Sequence, residues 1–521
     1  MKKQYQPIII SLLIIIGIVI GSNISQTDQN QKNNKINSIL QLINSHYVDS
    51  ISKDFEENII NSIIKDLDPH TSYIPKKNYQ SVSENMLGDF SGIGIEFNII
   101  EDTIVVVSPI TGGPSEKLGI LSGDRIIEVD SINIAGIGIE NSGVVKRLRG
   151  EKGTSVNIKV KRRSVKQIIE FDIIRNTIPL NSVDVSMMIT KTTGFLKLNR
   201  FSAKTSSEFT TETNKLLKAG MKELIFDLRD NPGGYLSAAA NICDHFLLDG
   251  DLIVYTKGRN REKNEIIAGR STFLEDIKLI VLINEGSASA SEIIAGAVQD
   301  NDRGVIIGRR SFGKGLVQEE IKLQDGSAIR LTTQRYYTPS GRSIQKDYGK
   351  NNNEYFLEQY LRNDSIIPDS LKFKTKLGRT VYGGGGINPD IIIAKDTSLD
   401  YKIINQIIIN GWIRGFSMKY SDLNRKNIKE ITNSKDYLKA MEEIIYNQFL
   451  NYISKKDNGF DKTIKEADKR FIKKQVIANI SRNLWSNEDY YRIMIDDDKY
   501  INTGLKIIEN SNYPSAGNDF K

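Results

Sequence analysis

Three serines, Ser287, Ser289 and Ser291, alternate with small residues in Gly286-Ser287-Ala288-Ser289-Ala290-Ser291-Glu292. The apolar run 279–283 before them reads as a buried strand. The Ile293, Ile294, Ala297 and Val298 pattern after them reads as a helix. A serine at such a junction can cap the helix through its hydroxyl. It can equally act as a nucleophile, because helix N-terminal amides beside it stabilise an oxyanion. The nucleophilic reading needs a base. His245 is the one histidine in this part of the chain, and its apolar helical context favours packing. Lys314 in Ser311-Phe312-Gly313-Lys314-Gly315 is the other candidate. Lysine ordinarily titrates near ~10.4, so burial must depress it before it can take a proton. Glycine on both sides and a neighbouring phenylalanine suit a tight, dry site, and Gln318 is placed to orient the amine.

Gly308 to Gly315 nearly matches a phosphate-binding loop. That motif needs Ser or Thr after the lysine, where this chain has Gly315, and it opens a helix rather than the strand read from residue 316. A nucleotide hydrolase is therefore the weaker reading, and it predicts nucleotide binding. With one cysteine, Cys243, no intrachain disulfide forms, and its apolar helical setting reads as packing. Three histidines and no HExxH leave little for a metal, and no cofactor is expected. The 71 basic residues against 64 acidic ones give +7, spread too evenly to mark a nucleic-acid surface.

The elements that must position these residues are legible in outline. Lys2 and Lys3 precede an apolar run, 8–20, without a good cleavage site, so residues 1–24 read as a signal anchor or signal peptide, with the positive flank inside and the body exported. A polar linker, 25–35, leads to a helical region, 36–88, which Asp68-Pro69-His70-Thr71 interrupts. Residues 89–175 turn to short strands and glycine turns, with strands read at 103–107, 124–129 and 155–161. Residues 176–396 alternate strand and helix, with buried strands at 224–228, 279–283 and 305–307 and a tight turn at Asn231-Pro232-Gly233-Gly234. This predicts a largely parallel sheet with its chemistry at the strand C-termini. A lysine-rich helical extension, 397–521, carries no catalytic signature. The fold class is multi-domain α/β.

The segments Asn284 to Asp300 (NEGSASASEIIAGAVQD) and Gly308 to Gln318 (GRRSFGKGLVQ) resemble the active-site segments of the carboxyl-terminal processing peptidases, or tail-specific proteases. In that family nucleophile and lysine are separated by 25 positions, which selects Ser289 with Lys314, and Gln318 matches the third catalytic residue. Asp227 to Gly234 (DLRDNPGG) resembles the family's oxyanion loop, implying the amides of Gly233 or Gly234 together with Ala290. Gly92-Ile93-Gly94-Ile95 resembles the carboxylate-binding loop of a PDZ domain, and Leu121 to Ile127 its next strand entry. Tyr337 to Gln345, Gly386 to Asp390 and Asp68 to Tyr73 are further family-like stretches, the last assigning His70 a structural role.

The resemblance spans about 38–395 and implies a serine endopeptidase that cuts exported proteins near their C-termini, the PDZ domain capturing an apolar substrate tail. It implies a site in the cell envelope, anchored in the inner membrane with the body outside the cytoplasm. An adaptor or a second copy of the chain is the further partner considered. An inactive PDZ scaffold is the alternative, against which Ser289, Lys314 and Gln318 all stand intact.

Overall fold

The computed structural model describes residues 11–12, 14–17, 34–52, 54–163, 165–269, 273–349, 352–361, 369–428, 434–460 and 463–509. Most of the apolar run expected to anchor the chain, and the linker through residue 33, lie outside them. Among the described residues no helix is long and apolar enough to cross a membrane.

Residues 1–67 and 68–521 are separate compact units. In the first, the helices Asn34–His46 and Phe55–Lys65 are amphipathic. The second of them carries Glu56 and Glu57 in its first turn and Lys65 in its last, complementing the helix dipole.

The larger unit is built on a six-stranded sheet in the order Val183–Met188, Thr193–Leu198, Glu223–Asp227, Lys278–Ile283, Val305–Gly308, Ile391–Ile392. The first two strands form an antiparallel pair; every other pairing is parallel. Its central strands are apolar on both faces, as a sheet covered on both sides requires. Leu224, Phe226, Leu279, Val281 and Ile283 face the helices Thr205–Lys218, Leu236–Asp244 and Ala290–Asp300. Ile225, Ile280, Leu282 and Ile307 face the opposite way, onto Ile501, Ile507 and Ile508 of the last helix, Lys499–Glu509. The end of the lysine-rich extension is thus a layer of the α/β core. Helix Ala290–Asp300 is buried along its whole length, and a side chain at Gly296 would meet Thr338 Cγ2 at 2.7 Å.

A second, antiparallel sheet joins Ser72–Ile74, Leu252–Gly258, Arg261–Ile267, Leu316–Lys322 and Ala328–Tyr337. Ser72–Ile74 lies inside the stretch that reads as helical. Three residues are too few for a period of two to show, and its pairing with Ala328–Arg330 is what extends it.

Residues 89–179, around the stretch expected to be a PDZ domain, form a separate β unit. Its sheet has Ile95–Ile100 at one edge, followed by Thr103–Pro109, Arg125–Val129, Ser155–Lys161 and Ile168–Ile174, around a core of Ile104, Val106, Ile126, Ile158 and Val160. The chain enters and leaves this domain through one antiparallel ribbon, Asp89–Gly92 with Asn176–Pro179. After residue 396 a helical bundle, principally Trp412–Ile428, Glu442–Lys456 and Glu466–Leu484, packs around Phe416, Phe449, Ile472 and Ile480.

Candidate active site

Three adjacent parallel strands, Glu223–Asp227, Lys278–Ile283 and Val305–Gly308, end on the same side of the sheet. The loop after the first holds Gly233 and Gly234, the loop after the second ends at Ser289, and the loop after the third holds Lys314. This is where a parallel sheet gathers its chemistry. Ser289, Lys314, Gln318, Gly233 and Gly234 line one cleft of about 560 Å³.

Burial separates the three serines. Ser287 donates its hydroxyl to Leu228 O at 2.8 Å and Ser291 donates to Asn231 O at 2.9 Å, both fully buried. Those two staple the Ser289 turn to the glycine loop; Ser289 is the one in the cleft. Its backbone sits at φ +55° and ψ −112°, a conformation that costs a non-glycine residue about 1–3 kcal/mol.

Glu292 stabilises that turn. Its fully buried carboxylate accepts from Ser289 N at 2.8 Å and Lys314 N at 2.9 Å on one oxygen. The other oxygen accepts from Gly313 N at 2.7 Å and Ser311 Oγ at 2.5 Å. Burial raises its pKa, and the four donors oppose that rise. Glu292 therefore ties the Ser289 segment to the Lys314 segment. Sequence reasoning missed this role, although the Ser289-x-x-Glu292 spacing is a capping-box signature. Tyr336 adds a second tie, its hydroxyl 2.6 Å from Lys314 O and 3.1 Å from Ser289 O. No motif pointed to it, because it comes from the strand Ala328–Tyr337 of the other sheet.

Lys314 donates from Nζ to Gln318 Oε1 at 2.7 Å, and Gln318 donates from Nε2 to the backbone carbonyl of His70 at 2.7 Å. That carbonyl fixes which end of the amide faces the lysine. Asp68 in turn holds the His70 turn, accepting from His70 N at 2.8 Å, Thr71 N at 2.9 Å and Thr71 Oγ1 at 2.6 Å. Burial, reinforced by Arg330, lowers Lys314 to about 8. Roughly a tenth of the amines are then neutral at pH 7, far more than for an ordinary lysine. The His70 side chain packs against Phe312, Tyr355 and Phe356, and burial holds its pKa down to about 4.

In the glycine loop, Gly233 N donates to Asn231 Oδ1 at 2.9 Å, and Asn231 Nδ2 donates to Leu198 O at 3.0 Å. Gly233 lies at φ +94°, and a Cβ there would meet Ala288 O at 2.7 Å and Ala290 N at 2.8 Å. Only glycine lets the two backbones approach this closely. Among the described residues the N–H groups of Gly234 and Ala290 have no acceptor. Burial alone would raise Asp227, yet Arg229 and Lys197 hold it at about 2; Arg229 also reaches Asp498 at 2.9 Å.

Cys243 is buried and its thiol is pushed up by burial, and His245 packs against Phe209 and Phe273. Lys314 leads through coil into the strand Leu316–Lys322, not into a helix as a phosphate loop would. In the PDZ domain Ile93 is buried and its carbonyl accepts from Ser115 N and Oγ; Gly94 lies at φ +75°. Ile95 opens the edge strand. Gly92 to Ile95 thus form the turn that delivers the chain to an unpaired sheet edge.

A model of peptidase family S41 matches residues 192–353, a PDZ-domain model matches 105–162, and a family of unknown function matches 403–486. A carboxy-terminal-processing protease of Bartonella bacilliformis is 37% identical over 342 residues, 64% of this chain and 77% of that protein. A carboxyl-terminal-processing protease of Picosynechococcus is 36% identical over 283 residues, 54% of this chain and 67% of its own length. A CtpA-like serine protease of Staphylococcus epidermidis is 30% identical over 461 residues, 82% of this chain and 91% of that one.

Proposed function

Because the chain belongs to the carboxyl-terminal processing peptidases of family S41 and is a serine-type peptidase with a PDZ domain, we propose that Ser289 is its nucleophile and Lys314 its general base. One observation carries the assignment: a buried amine depressed to about 8 and held by Gln318 shares a cleft with a serine on a strained turn. Neutral Lys314 takes the Ser289 proton as Oγ bonds to the substrate carbonyl carbon. The resulting ammonium returns that proton to the departing amine, leaving an ester on Ser289. Water, deprotonated by Lys314, then attacks the ester carbonyl, and the ammonium returns that proton to the departing Ser289 Oγ. The oxyanion is met by the N–H groups of Gly234 and Ala290, since Gly233 already donates to Asn231.

The tail of the substrate adds along Ile95–Ile100 with its carboxylate on the amides of Gly92 to Ile95, and an apolar terminal side chain enters beside them. The substrates are exported proteins, cut near their C-termini outside the cytoplasm while residues 1–24 hold the enzyme to the membrane. An adaptor or a second copy of the chain can join this arrangement.

The test is cleavage of a loosely folded protein with an apolar C-terminal tail by the full chain, beside Ser289→Ala and Lys314→Ala. Cleavage by the parent and by neither variant is expected; cleavage by all three would move the nucleophile elsewhere. Membrane fractionation, with added protease probing which side the body occupies, tests the location.

A further inference from the structure

The helical bundle over 403–486, which matches a family without an assigned function, lies against the outer face of the PDZ sheet. Along the edge strand Ile95, Phe97 and Ile99 turn into the PDZ core, whereas Ile100 turns out and joins Val105, Val107 and Met418. Met418 belongs to the bundle helix Trp412–Ile428 and is 1% exposed. Polar pairs surround this contact. Asp422 accepts from Arg125 at 2.8 Å and Arg163 at 3.3 Å, Lys419 meets Glu101 at 2.8 Å, Arg425 meets Ser122 at 2.8 Å, and Arg482 meets Glu96 at 3.2 Å.

The PDZ domain's covalent connection is the single ribbon Asp89–Gly92 with Asn176–Pro179. At that end Arg149 also pairs with Glu84 at 2.8 Å, on the helix whose Ser83 and Met86 line the catalytic cleft. A domain attached at one place swings by default. Here the bundle holds the sheet separately, through Ile100, Val105, Val107 and the charged pairs, and the bundle's own continuation, Lys499–Glu509, is built into the α/β core behind the strands that carry the site. Groove and nucleophile are therefore joined twice through one framework.

We propose that residues 403–486 act as a clasp that fixes the PDZ groove at a set distance from Ser289, so that the first cut falls at a set number of residues from the substrate's C-terminus. This rests on the tail-capture and Ser289–Lys314 reading above. With the carboxylate seated at Gly92 to Ile95, the path from groove to nucleophile has one length, and only the peptide bond at that length reaches Ser289. A swinging domain would offer a range of lengths.

The experiment uses the full chain, a loosely folded substrate with an apolar C-terminal tail, and mass spectrometry of the C-terminal fragment released first. Asp422→Arg opposes Arg125 and Arg163 and opens the clasp. Adding Arg125→Asp and Arg163→Asp restores it with the charges exchanged. Oxidation of Met418 by dilute hydrogen peroxide reports opening directly, because that thioether is covered only while the clasp is shut. The parent is expected to release one dominant fragment with Met418 protected. Asp422→Arg gives fragments spread over several lengths with Met418 oxidised, and the triple variant returns to one length.

An oxidised Met418 with an unchanged single fragment overturns the proposal. So does a ladder without a dominant length from the parent, and so does full protection of Met418 in Asp422→Arg. Absence of any cleavage by the parent strikes the Ser289–Lys314 reading instead.

Discussion

Glu292 and Asp422 are both carboxylates that join distant parts of the chain, one inside the peptidase core and one at the edge of the helical bundle. Glu292 is fully buried and accepts four hydrogen bonds from the two loops it joins. The Asp422 side chain retains 10% exposure, and its partners Arg125 and Arg163 retain 33% and 54%. A buried carboxylate with every lone pair used enforces one geometry, and removing a partner leaves donors stranded without water. A wet pair keeps water as an alternative partner, so it biases a position without dictating it. The catalytic region is built to be invariant; the clasp is built to be held firmly enough and still opened.

The largest expected effect breaks the catalytic side. Ser289→Ala and Lys314→Ala should each lower kcat/KM by at least ~1,000-fold, the scale of losing a nucleophile or its base. In the parent, kcat/KM should rise with pH through about 8, because the amine acts only when deprotonated. His70, held at about 4, is neutral throughout that range and adds no limb to the profile. Stability should move the same way for this residue, over a higher pH window. The folded-state pKa lies below the unfolded value, so the buried ammonium destabilises the fold fully below about pH 8, and that penalty fades as pH rises toward 10.5. Lys314→Met should thus unfold at higher denaturant at pH 7, by on the order of 1–3 kcal/mol, while being inactive.

Glu292→Gln comes next. Whichever way the amide turns, its NH₂ faces two donors, either Ser289 N with Lys314 N or Gly313 N with Ser311 Oγ. Urea unfolding should show a loss of about 2–4 kcal/mol. The activity that remains should titrate lower than in the parent, since burial still depresses Lys314 while the Glu292 charge that raises it is gone.

Asp68 and His70 sharpen the contrast on a smaller scale. Gln318 is oriented by the His70 carbonyl, and that carbonyl is placed by Asp68. Asp68→Ala should therefore lower kcat by roughly tenfold with little change in KM, as expected when a catalytic group is misplaced by a fraction of an ångström. His70→Ala leaves the carbonyl in place and should be milder than Asp68→Ala in the same assay. Equal losses would assign the role to the imidazole.

Sequence made the catalytic side legible because its residues must be particular types at particular spacings. Local chemistry points to Lys314 and to one of Ser287, Ser289 and Ser291; the family resemblance selects Ser289 and the glycines of residues 233–234, and apolar runs give the central strands. What stayed hidden acts through atoms that side-chain identity does not encode. The His70 carbonyl is backbone. Tyr336 reaches the site from another sheet. Glu292 was visible only as a helix cap, because nothing local shows that Gly313 and Lys314 fold back onto it. The clasp was invisible for a related reason: Asp422 with Arg125 is an ordinary surface pair whose partners are nearly 300 positions apart in sequence.

The smallest expected effect tests the wet side of the comparison. Asp422→Ala removes two charge pairs and leaves Met418 in place, so the clasp should loosen by about 1 kcal/mol or less, the range of partly exposed ion pairs. That corresponds to a several-fold faster oxidation of Met418, with global unfolding of the peptidase core unmoved. Salt should act in the same direction on the parent. Raising ionic strength from ~0.05 to ~1 M shortens the screening length from over 10 Å to about 3 Å. Met418 should then oxidise faster in the parent, and by a smaller factor in Asp422→Ala, which keeps Lys419–Glu101 and Arg482–Glu96 but has lost both Asp422 pairs. The Glu292 ties, shielded from solvent, should not respond to salt at all. If salt exposed Met418 equally in both proteins, the Lys419–Glu101 and Arg482–Glu96 pairs rather than Asp422 would be what holds the domains together.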